Sequence, residues 1–367
     1  MTRVLLIADR AMASHEHRLL NRLDVGLSDE GLRVTLGAPA GALPIRRASL
    51  SEVVEYDPPA PFVTTRMRAA RLVERIGRPG AQESTIVHAW GEGAWALAVE
   101  VAALLHAPLV IEVWAARLIG RLPRIERRVR RRATLPCMLF TAPSTGLRDA
   151  IDARRIRTPV RLVHWGVYAH GKRAVREEAA PPSVAILAIG ADPLSVDAAI
   201  EGVAAIASQR DDLLVLLDDR AVRRRPALWK AVRDAGLLDN LTLVADMESQ
   251  REAVLEADVL LQPEATGELR SITLEALAAG MVVVAQRDTT SDTLTGDSPA
   301  ILLEDASSRA WDRAVRDALA NQAGPGQRPA LGLEFVRKSR RASDQIAALL
   351  RIYDGLTSPR ADAAAPE

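Results

Sequence analysis

The residues best suited to chemistry lie in one segment, residues 258–287, DVLLQPEATGELRSITLEALAAGMVVVAQR. The pattern predicts a buried strand, a polar loop, a helix with Ser271 as its N-cap that ends at Gly280, and a second buried strand. A loop that points at a helix N-terminus is a ready site for an anion, and Glu275 in the first turn could accept hydrogen bonds from ribose or sugar hydroxyls. The alternative is that Glu275 only complements the helix dipole.

A second group of candidates follows the first predicted strand, where His15, Glu16 and His17 form a local acid–base cluster. Imidazole and carboxylate groups are common general acids and bases, so a role at a substrate is one interpretation. The other is a polar loop that caps the first helix, with Ser14 as the N-cap. The sequence leaves both open.

Three larger side chains, His88, Trp114 and Trp165, lie at the ends of predicted strands. His88 is either a satisfied core imidazole or a group that faces a ligand. The two tryptophans either pack in the core or line a cleft, where an indole could stack on a sugar.

Several other kinds of site are excluded by the sequence. Cys137 is the one cysteine, so the chain has no internal disulfide and no cysteine-based metal cage. Asp218 and Asp219 have no neighbours that would complete a metal shell, and no Cys/His spacing fits zinc. Ser144 lacks the G-x-S-x-G context of a hydrolase. We therefore expect neither a metal nor a cofactor.

Short apolar runs separated by amphipathic stretches predict strands that alternate with helices along the whole chain. The runs are unbroken, as in strands covered on both faces, and repeated βα units imply parallel sheets. The predicted strands are 4–8, 34–38, 85–89, 109–114, 138–142 and 160–165, followed by 184–189, 213–217, 241–245, 259–262, 282–285 and 301–303.

Two groups of six strands, separated by a proline-containing spacer at 177–183, predict an α/β protein with two Rossmann-like domains. We expect residues 1–176 to form the first domain and 183–333 the second. An amphipathic helix is predicted within 334–356, and residues 357–367 are expected to be disordered. Ligands of such folds bind beyond the carboxyl ends of the strands, which predicts a site in a cleft between the domains.

The composition shows no strong charge bias. The 367 residues are 48% hydrophobic and 26% charged, with a net charge of +1, so nucleic acid is not an expected partner. No apolar run reaches the ~20 residues of a membrane span, and no signal peptide is evident, so we expect a cytoplasmic protein. The basic run from Arg121 to Arg132 is either a solvated helix or a weak contact with an anionic membrane face or acceptor.

The order of these motifs resembles that of glycosyltransferases with the GT-B fold, family 4, over nearly the whole chain. The resemblance is carried by IVHAWGEGAWALAVEVAALLHAPLVIEVW, ERRVRRRATLPCMLFTAPSTGLRDAI, LVHWGV, LEALAAGMVVVA and FVRKSRRASDQIAALLRIYDGL. It implies an acceptor-side first domain, a donor-nucleotide second domain and a last helix that crosses back to the first. It also implies metal-independent, retaining transfer of a sugar from a nucleotide-sugar donor to a glycan, lipid or small-molecule acceptor.

The donor site departs from the family pattern at its glutamates. The family has two glutamates eight positions apart, and Glu275 matches the second, which holds the donor ribose. Gly267 stands at the position of the first, which contacts the donor sugar, and Glu268 follows one position late. The resemblance therefore implies a donor site built on Glu275, with Glu268 as a shifted partner.

The donor site also lacks the cations that the family places after the first strand of the second domain. That stretch begins at Gly190 and reads GADPLSVDAA, without Arg or Lys. Arg270, beside Ser271, is the candidate replacement, because guanidinium binds phosphate through two hydrogen bonds.

Three functions stay open. The first is a nucleotide-sugar-dependent glycosyltransferase with an altered donor site. The second is a catalytically inactive GT-B protein that binds a nucleotide, a glycan or a partner protein. The third is another GT-B activity, such as an epimerase or a phosphorylase, which the lack of a lysine set for a pyridoxal cofactor disfavours. The first two differ in whether Arg220, Arg270 or Arg287 reaches the diphosphate.

Overall fold

The computed structural model describes residues 2–43, 51–80, 83–169, 180–189, 191–248, 250–296, 298–320 and 328–358. The chain divides into two compact units. Unit 1 comprises Met1–Pro143, Ile151–Val163 and Ser343–Glu367, and unit 2 comprises Ser144–Ala150 and His164–Ala342. Part of the predicted spacer, 177–179, and most of the predicted tail, 359–367, lie outside the described residues.

Unit 1 contains a seven-stranded parallel sheet. Its strands are β1 (Thr2–Ala8), β2 (Arg33–Pro39), β3 (Glu52–Tyr56), β4 (Ser84–Trp90), β5 (Leu109–Glu112), β6 (Met138–Ala142) and β7 (Val160–Leu162). The strand order β3-β2-β1-β4-β5-β6-β7 reverses between β1 and β4. Such a reversal is the point at which open α/β sheets bind their ligands.

Unit 2 contains a six-stranded parallel sheet with the same kind of order. Its strands are β8 (Ser183–Ile186), β9 (Leu214–Asp218), β10 (Leu241–Val244), β11 (Val259–Gln262), β12 (Val282–Gln286) and β13 (Ile301–Leu303). The order β10-β9-β8-β11-β12-β13 reverses between β8 and β11. The two units therefore confirm the predicted pair of Rossmann-like sheets.

Helices connect most of these strands. They are α1 (Arg10–His15), α2 (His17–Asp29), α3 (Thr65–Ile76), α4 (Glu92–Leu105), α5 (Leu122–Arg130), α6 (Thr145–Asp152), α7 (Pro193–Ala207), α8 (Asp219–Arg224), α9 (Ala227–Asp234), α10 (Arg251–Leu255), α11 (Ser271–Ala279), α12 (Ser308–Ala320), α13 (Arg328–Ser339) and α14 (Ala342–Thr357). Among the described residues, none of the helices is long and apolar enough to span a membrane.

All twelve predicted strands are present, but the prediction of six strands in each sheet is wrong for unit 1. The missed strand is β3, EVVEY, which pairs with β2 at the edge of the sheet. Only Val54 and Tyr56 of β3 are buried, and the exposed Glu55 lies between them, so buried and exposed residues alternate. The other strands were recognised from unbroken apolar runs, a pattern that an edge strand with one exposed face does not have.

The prediction of a single helix within 334–356 is wrong, because the helix is interrupted between α13 and α14. The carbonyl of Arg340 accepts a hydrogen bond from the amide of Val167 (2.9 Å), and the amide of Ala342 donates to the carbonyl of Val167 (3.1 Å). These backbone groups therefore pair with another segment instead of continuing the helix. No proline or glycine marks the break, which explains why the sequence pattern does not reveal it.

The last helix, α14, is held in unit 1 by a polar contact and an apolar one. The hydroxyl of Tyr353 lies 2.7 Å from Nδ1 of the fully buried His88 on β4. Gly26 of α2 lies against Ile346, and a Cβ at Gly26 would come within 2.6 Å of that side chain. His88 thus has a structural partner in the core.

Replacing Tyr353 with phenylalanine removes the hydroxyl and leaves Nδ1 of His88 buried without its partner. We expect the free energy of unfolding to fall by about 1–3 kcal/mol, the usual cost of an unsatisfied buried polar group. Urea denaturation followed by circular dichroism measures the change. Tyr168→Phe, at a half-exposed tyrosine, is the control, and equal loss in both variants would contradict the role of the His88 contact.

Burial lowers the pKa of His88 to about 3. An unfolded chain binds this proton near pH 6.5, so the unfolded state gains protons first as the pH falls. We expect the contribution of His88 to stability to be complete above about pH 6.5 and to decline towards about pH 3. Ring ¹⁵N shifts measured by NMR should still report a neutral imidazole midway through this range, and a titration of His88 near pH 6.5 would show that the ring is not buried as described.

Candidate functional site

The carboxylate of Glu264 occupies the carboxyl end of the sheet in unit 2, at the reversal between β8 and β11. It accepts hydrogen bonds from the backbone amides of Ile189 (2.5 Å), Asp192 (2.8 Å) and Ala191. These amides belong to the turn between β8 and α7, and Glu264 is buried. Amides at a helix N-terminus form a natural anion site, and here the anion belongs to the protein itself.

A second carboxylate lies at the same helix end. Asp192 is the N-cap of α7, and its side chain accepts hydrogen bonds from the amide (3.4 Å) and the hydroxyl (2.7 Å) of Ser195. Gly190, a predicted donor-binding residue of this turn, lies outside the described residues. The exposed Arg224 of α8 contacts the turn, because its Nη1 donates to the carbonyl of Ile189 (2.9 Å). Arg224 is a cation that the sequence analysis did not consider.

Helix α11 ends at Gly280 as predicted, in the left-handed conformation with φ 82°. The prediction that Ser271 is its N-cap is wrong, since Arg270 holds that position without a side-chain cap bond and Ser271 is the first helical residue. The hydroxyl of Ser271 instead accepts a hydrogen bond from Nη1 of Arg251 (2.6 Å).

Glu275 pairs with Arg251, whose side chain is fully buried. Nη1 of Arg251 lies 3.0 Å from Oε1 of Glu275, and Nε donates to the carbonyl of Glu248 (2.8 Å). The guanidinium therefore holds the carboxylate of Glu275 in place on α11. A carboxylate has about four acceptor positions, so the bond to Arg251 does not by itself saturate Glu275.

Arg220, the first of the three predicted phosphate cations, is surrounded by acids. Its guanidinium lies 2.5 Å from Asp218, 3.1 Å from Asp246 and 3.0 Å from Glu248. Burial by itself would lower the pKa of Arg220, but the hydrogen bonds to Asp218 and the charges of the other two acids raise it above its usual range. The positive charge of Arg220 is therefore already compensated.

The other two predicted cations also have carboxylate partners. The buried Arg270 lies 3.9 Å from Glu248 and 3.7 Å from Glu268. Arg287 lies 2.7 Å from Glu304 at the surface. The structure thus brings Glu268, Arg270, Ser271 and Glu275 into one part of unit 2, with Arg251 as the residue that sequence reasoning missed. An arginine twenty-four positions from Glu275 carries no local signal of that contact.

Unit 1 has a carboxylate in the same place. Asp9 follows β1, and its two oxygens accept hydrogen bonds from the amides of Met12 (2.9 Å) and Gly93 (2.9 Å), at the starts of α1 and α4. Burial raises the pKa of Asp9, and the amide hydrogen bonds oppose that rise. Gly91 makes room for the carboxylate, since a Cβ there would come within 2.3 Å of Asp9.

The predicted polar loop around His15, Glu16 and His17 is helical. His15 is the last residue of α1, Glu16 is the N-cap of α2, and His17 is its first residue. Ser14 is not a helix cap, because Asp9 caps α1 and the hydroxyl of Ser14 donates to the carbonyl of Ala42 (3.4 Å). A general acid or base role for this cluster stays a prediction.

The remaining candidates differ in exposure. His88 and Trp165 are fully buried, which favours packing over contact with a ligand. Trp114 is partly exposed, and the guanidinium of Arg117 lies 5.2 Å from its ring centroid. Arg117 therefore covers part of the indole face by a cation–π contact.

Solved glycosyltransferases share this architecture along their whole length. The chain is similar to a sucrose-phosphate synthase from Thermosynechococcus elongatus, with 16% identity, a TM-score of 0.72 and coverage of 97% of this chain and 99% of that one. It is also similar to HepE of Anabaena in complex with UDP-glucose, with 13% identity, a TM-score of 0.71 and coverage of 96% and 100%. A glycosyltransferase from Rickettsia africae gives 11% identity, a TM-score of 0.67 and coverage of 97% and 98%.

These similarities confirm the predicted GT-B fold. No protein-family model matches the chain, and no curated protein sequence is significantly similar to it. At identities this low the likeness concerns the fold, and membership of family 4 stays a prediction.

Replacing Glu264 with glutamine keeps the shape of the side chain but exchanges one acceptor oxygen for an amide donor. That donor would face backbone N–H groups, so we expect the free energy of unfolding to fall by about 2–5 kcal/mol. Glu201→Gln makes the same chemical change at an exposed site on α7. Urea titration of both variants tests the prediction, and a Glu264→Gln protein as stable as the control would contradict it.

Proposed function

We propose that this chain is a glycosyltransferase that takes a nucleotide-sugar donor in unit 2. The observation that carries the proposal is the position of Glu275, a buried carboxylate held by Arg251 on the helix that follows β11. The proposal is supported by the full-length fold similarity to glycosyltransferases, one of which is in complex with UDP-glucose.

In this proposal Glu275 accepts hydrogen bonds from the ribose hydroxyls of the donor, and Arg251 fixes the orientation of its carboxylate. Arg224, beside the turn after β8, supplies positive charge to the diphosphate. Catalysis would then depend on positioning and on stabilisation of the leaving diphosphate, without metal and with retention of configuration. The acceptor is a glycan, a lipid or a small molecule.

A second function is favoured by the carboxylate of Glu264. Its oxygens accept hydrogen bonds from three backbone amides of the turn in which a phosphate would otherwise bind. The positive charges of Arg220, Arg270 and Arg287 are compensated by acids. A catalytically inactive GT-B protein that binds a glycan or a partner would show such a turn. Binding and turnover therefore need separate measurements.

Thermal shift with UDP-, GDP- and ADP-glucose tests the donor site. We expect one nucleotide sugar to raise the melting temperature of the wild type and of Glu201→Gln. Glu275→Gln should lose most of that shift, because its amide can keep one bond to Arg251 but offers fewer acceptors to ribose. Arg224→Gln should also reduce the shift in melting temperature, since the variant lacks the guanidinium that offsets the charge of the donor's diphosphate.

Nucleotide release from the same donor distinguishes the two functions. Slow release by the wild type, abolished in Glu275→Gln, supports a transferase with water as a poor acceptor. A shift without release supports the inactive protein. No response by the wild type together with a response by Glu264→Ala would mean that Glu264 excludes the diphosphate, and the proposed transferase activity would be rejected.

A further inference from the structure

Unit 1 contains a cavity of about 650 Å³ between α4 and α5 whose lining is dominated by arginine. The arginines are Arg121, Arg124, Arg127, Arg128, Arg131 and Arg132. Trp95, Ala96 and Ile125 supply the apolar part of the lining, and Glu92 is its one acid. A volume of this size is typical of sites for small molecules, which run from roughly 300 to 1,000 Å³.

Four arginines in and beside this cavity pair with two carboxylates, Glu92 and Glu100. Nη2 of Arg128 (3.0 Å) and Nη2 of Arg132 (2.8 Å) donate to the same oxygen of the buried Glu100. Arg117 and Arg121 both pair with Glu92. The acids that belong to the protein therefore compensate only part of the positive charge around the cavity.

Three further arginines add to the excess of positive charge around the cavity. Arg124, Arg127 and Arg131 are exposed, and none of them has a carboxylate within ion-pair distance in the part of the chain that the structure describes. The cavity thus offers many N–H donors and few acceptors. This chemistry matches a ligand with several anionic oxygens, because each guanidinium can bind a phosphate through two parallel hydrogen bonds.

The burial of α5 distinguishes a discrete ligand from a bilayer surface. Leu122 and Ile125 of α5 are buried, as are Leu118 and Ile119 just before it, and Val129 is half-buried. A helix that lies on a membrane needs apolar side chains available for the acyl boundary. Here those side chains belong to the protein core, and the exposed part of the helix is cationic.

We propose that this cavity binds a soluble ligand that carries two or more phosphate groups. The proposal does not rest on the proposed function, because the donor is assigned to unit 2 and every residue of the cavity lies in unit 1. The ligand's charged end contacts Arg124, Arg127 and Arg131, and its uncharged part lies against Ala96, the apolar lining residue that is not buried.

Isothermal titration of the full chain with pyrophosphate and with tripolyphosphate tests the proposal. We expect the wild type to bind, with affinity that falls as sodium chloride is added. Arg127→Gln combined with Arg131→Gln should bind at least about tenfold more weakly, since two charge-assisted contacts are lost. The matched control, Arg66→Gln with Arg78→Gln, removes the same charge from exposed sites of unit 1 outside the cavity and should bind like the wild type.

Two further variants sharpen the outcome. Arg127→Lys with Arg131→Lys keeps the charge but loses the planar fork, so its affinity should lie between those of the wild type and the glutamine pair. If the glutamine pair does not fold, as judged by circular dichroism, Arg127→Gln alone makes the same comparison.

Three results would overturn the proposal. They are no binding of either polyphosphate by the wild type, equal weakening in the cavity variant and the surface control, and co-sedimentation with phosphatidylglycerol vesicles in the absence of polyphosphate binding. The last result would assign the arginines to a membrane surface instead of a soluble ligand.

Discussion

A carboxylate on backbone amides at the switch point of each sheet is the interaction on which the rest of the site depends. Glu264 in unit 2 and Asp9 in unit 1 satisfy N–H groups that the ends of strands and the starts of helices leave without partners. Because these acceptors are part of the chain, they act at a high effective concentration, and an incoming phosphate must compete with them. A phosphate can therefore bind these backbone amides at a switch point only by displacing the carboxylate.

The same constraint organises the charges of unit 2. Arg220, Arg251 and Arg270 are all paired with acids, and the carboxylates outnumber the guanidiniums around α11. Such an arrangement is better suited to hydroxyl groups than to phosphates, since a carboxylate accepts hydrogen bonds from a sugar and repels a second anion. Glu275 fits this role, and Arg224 is the exposed cation beside the turn after β8. The two proposed functions therefore differ in whether Glu264 leaves its amides.

The sequence predicted the fold well because unbroken apolar runs report strands that are covered on both faces. It missed β3, in which buried and exposed residues alternate. It also missed the interruption of the helix before α14, which depends on backbone pairing with Val167. The partners of side chains were harder to predict from the sequence. Arg251 contacts Glu275 because of the tertiary fold, and no spacing rule connects the two positions. An acid just after a strand, such as Glu264 two positions beyond β11, was a usable signal, since the carboxyl ends of parallel strands share one edge.

The net charge of +1 conceals two opposite local balances. In unit 2 the acids exceed the cations around α11, whereas in unit 1 the arginines of α5 exceed their carboxylate partners. Arginine binds phosphate in a fixed geometry and carboxylate binds hydroxyls, so the two units offer complementary chemistry to ligands. The proposed polyphosphate site in unit 1 and the proposed contact of Glu275 with donor hydroxyls in unit 2 both rest on this division. In this GT-B fold the excess of positive charge therefore lies at α5 of unit 1 and not around α11 of unit 2.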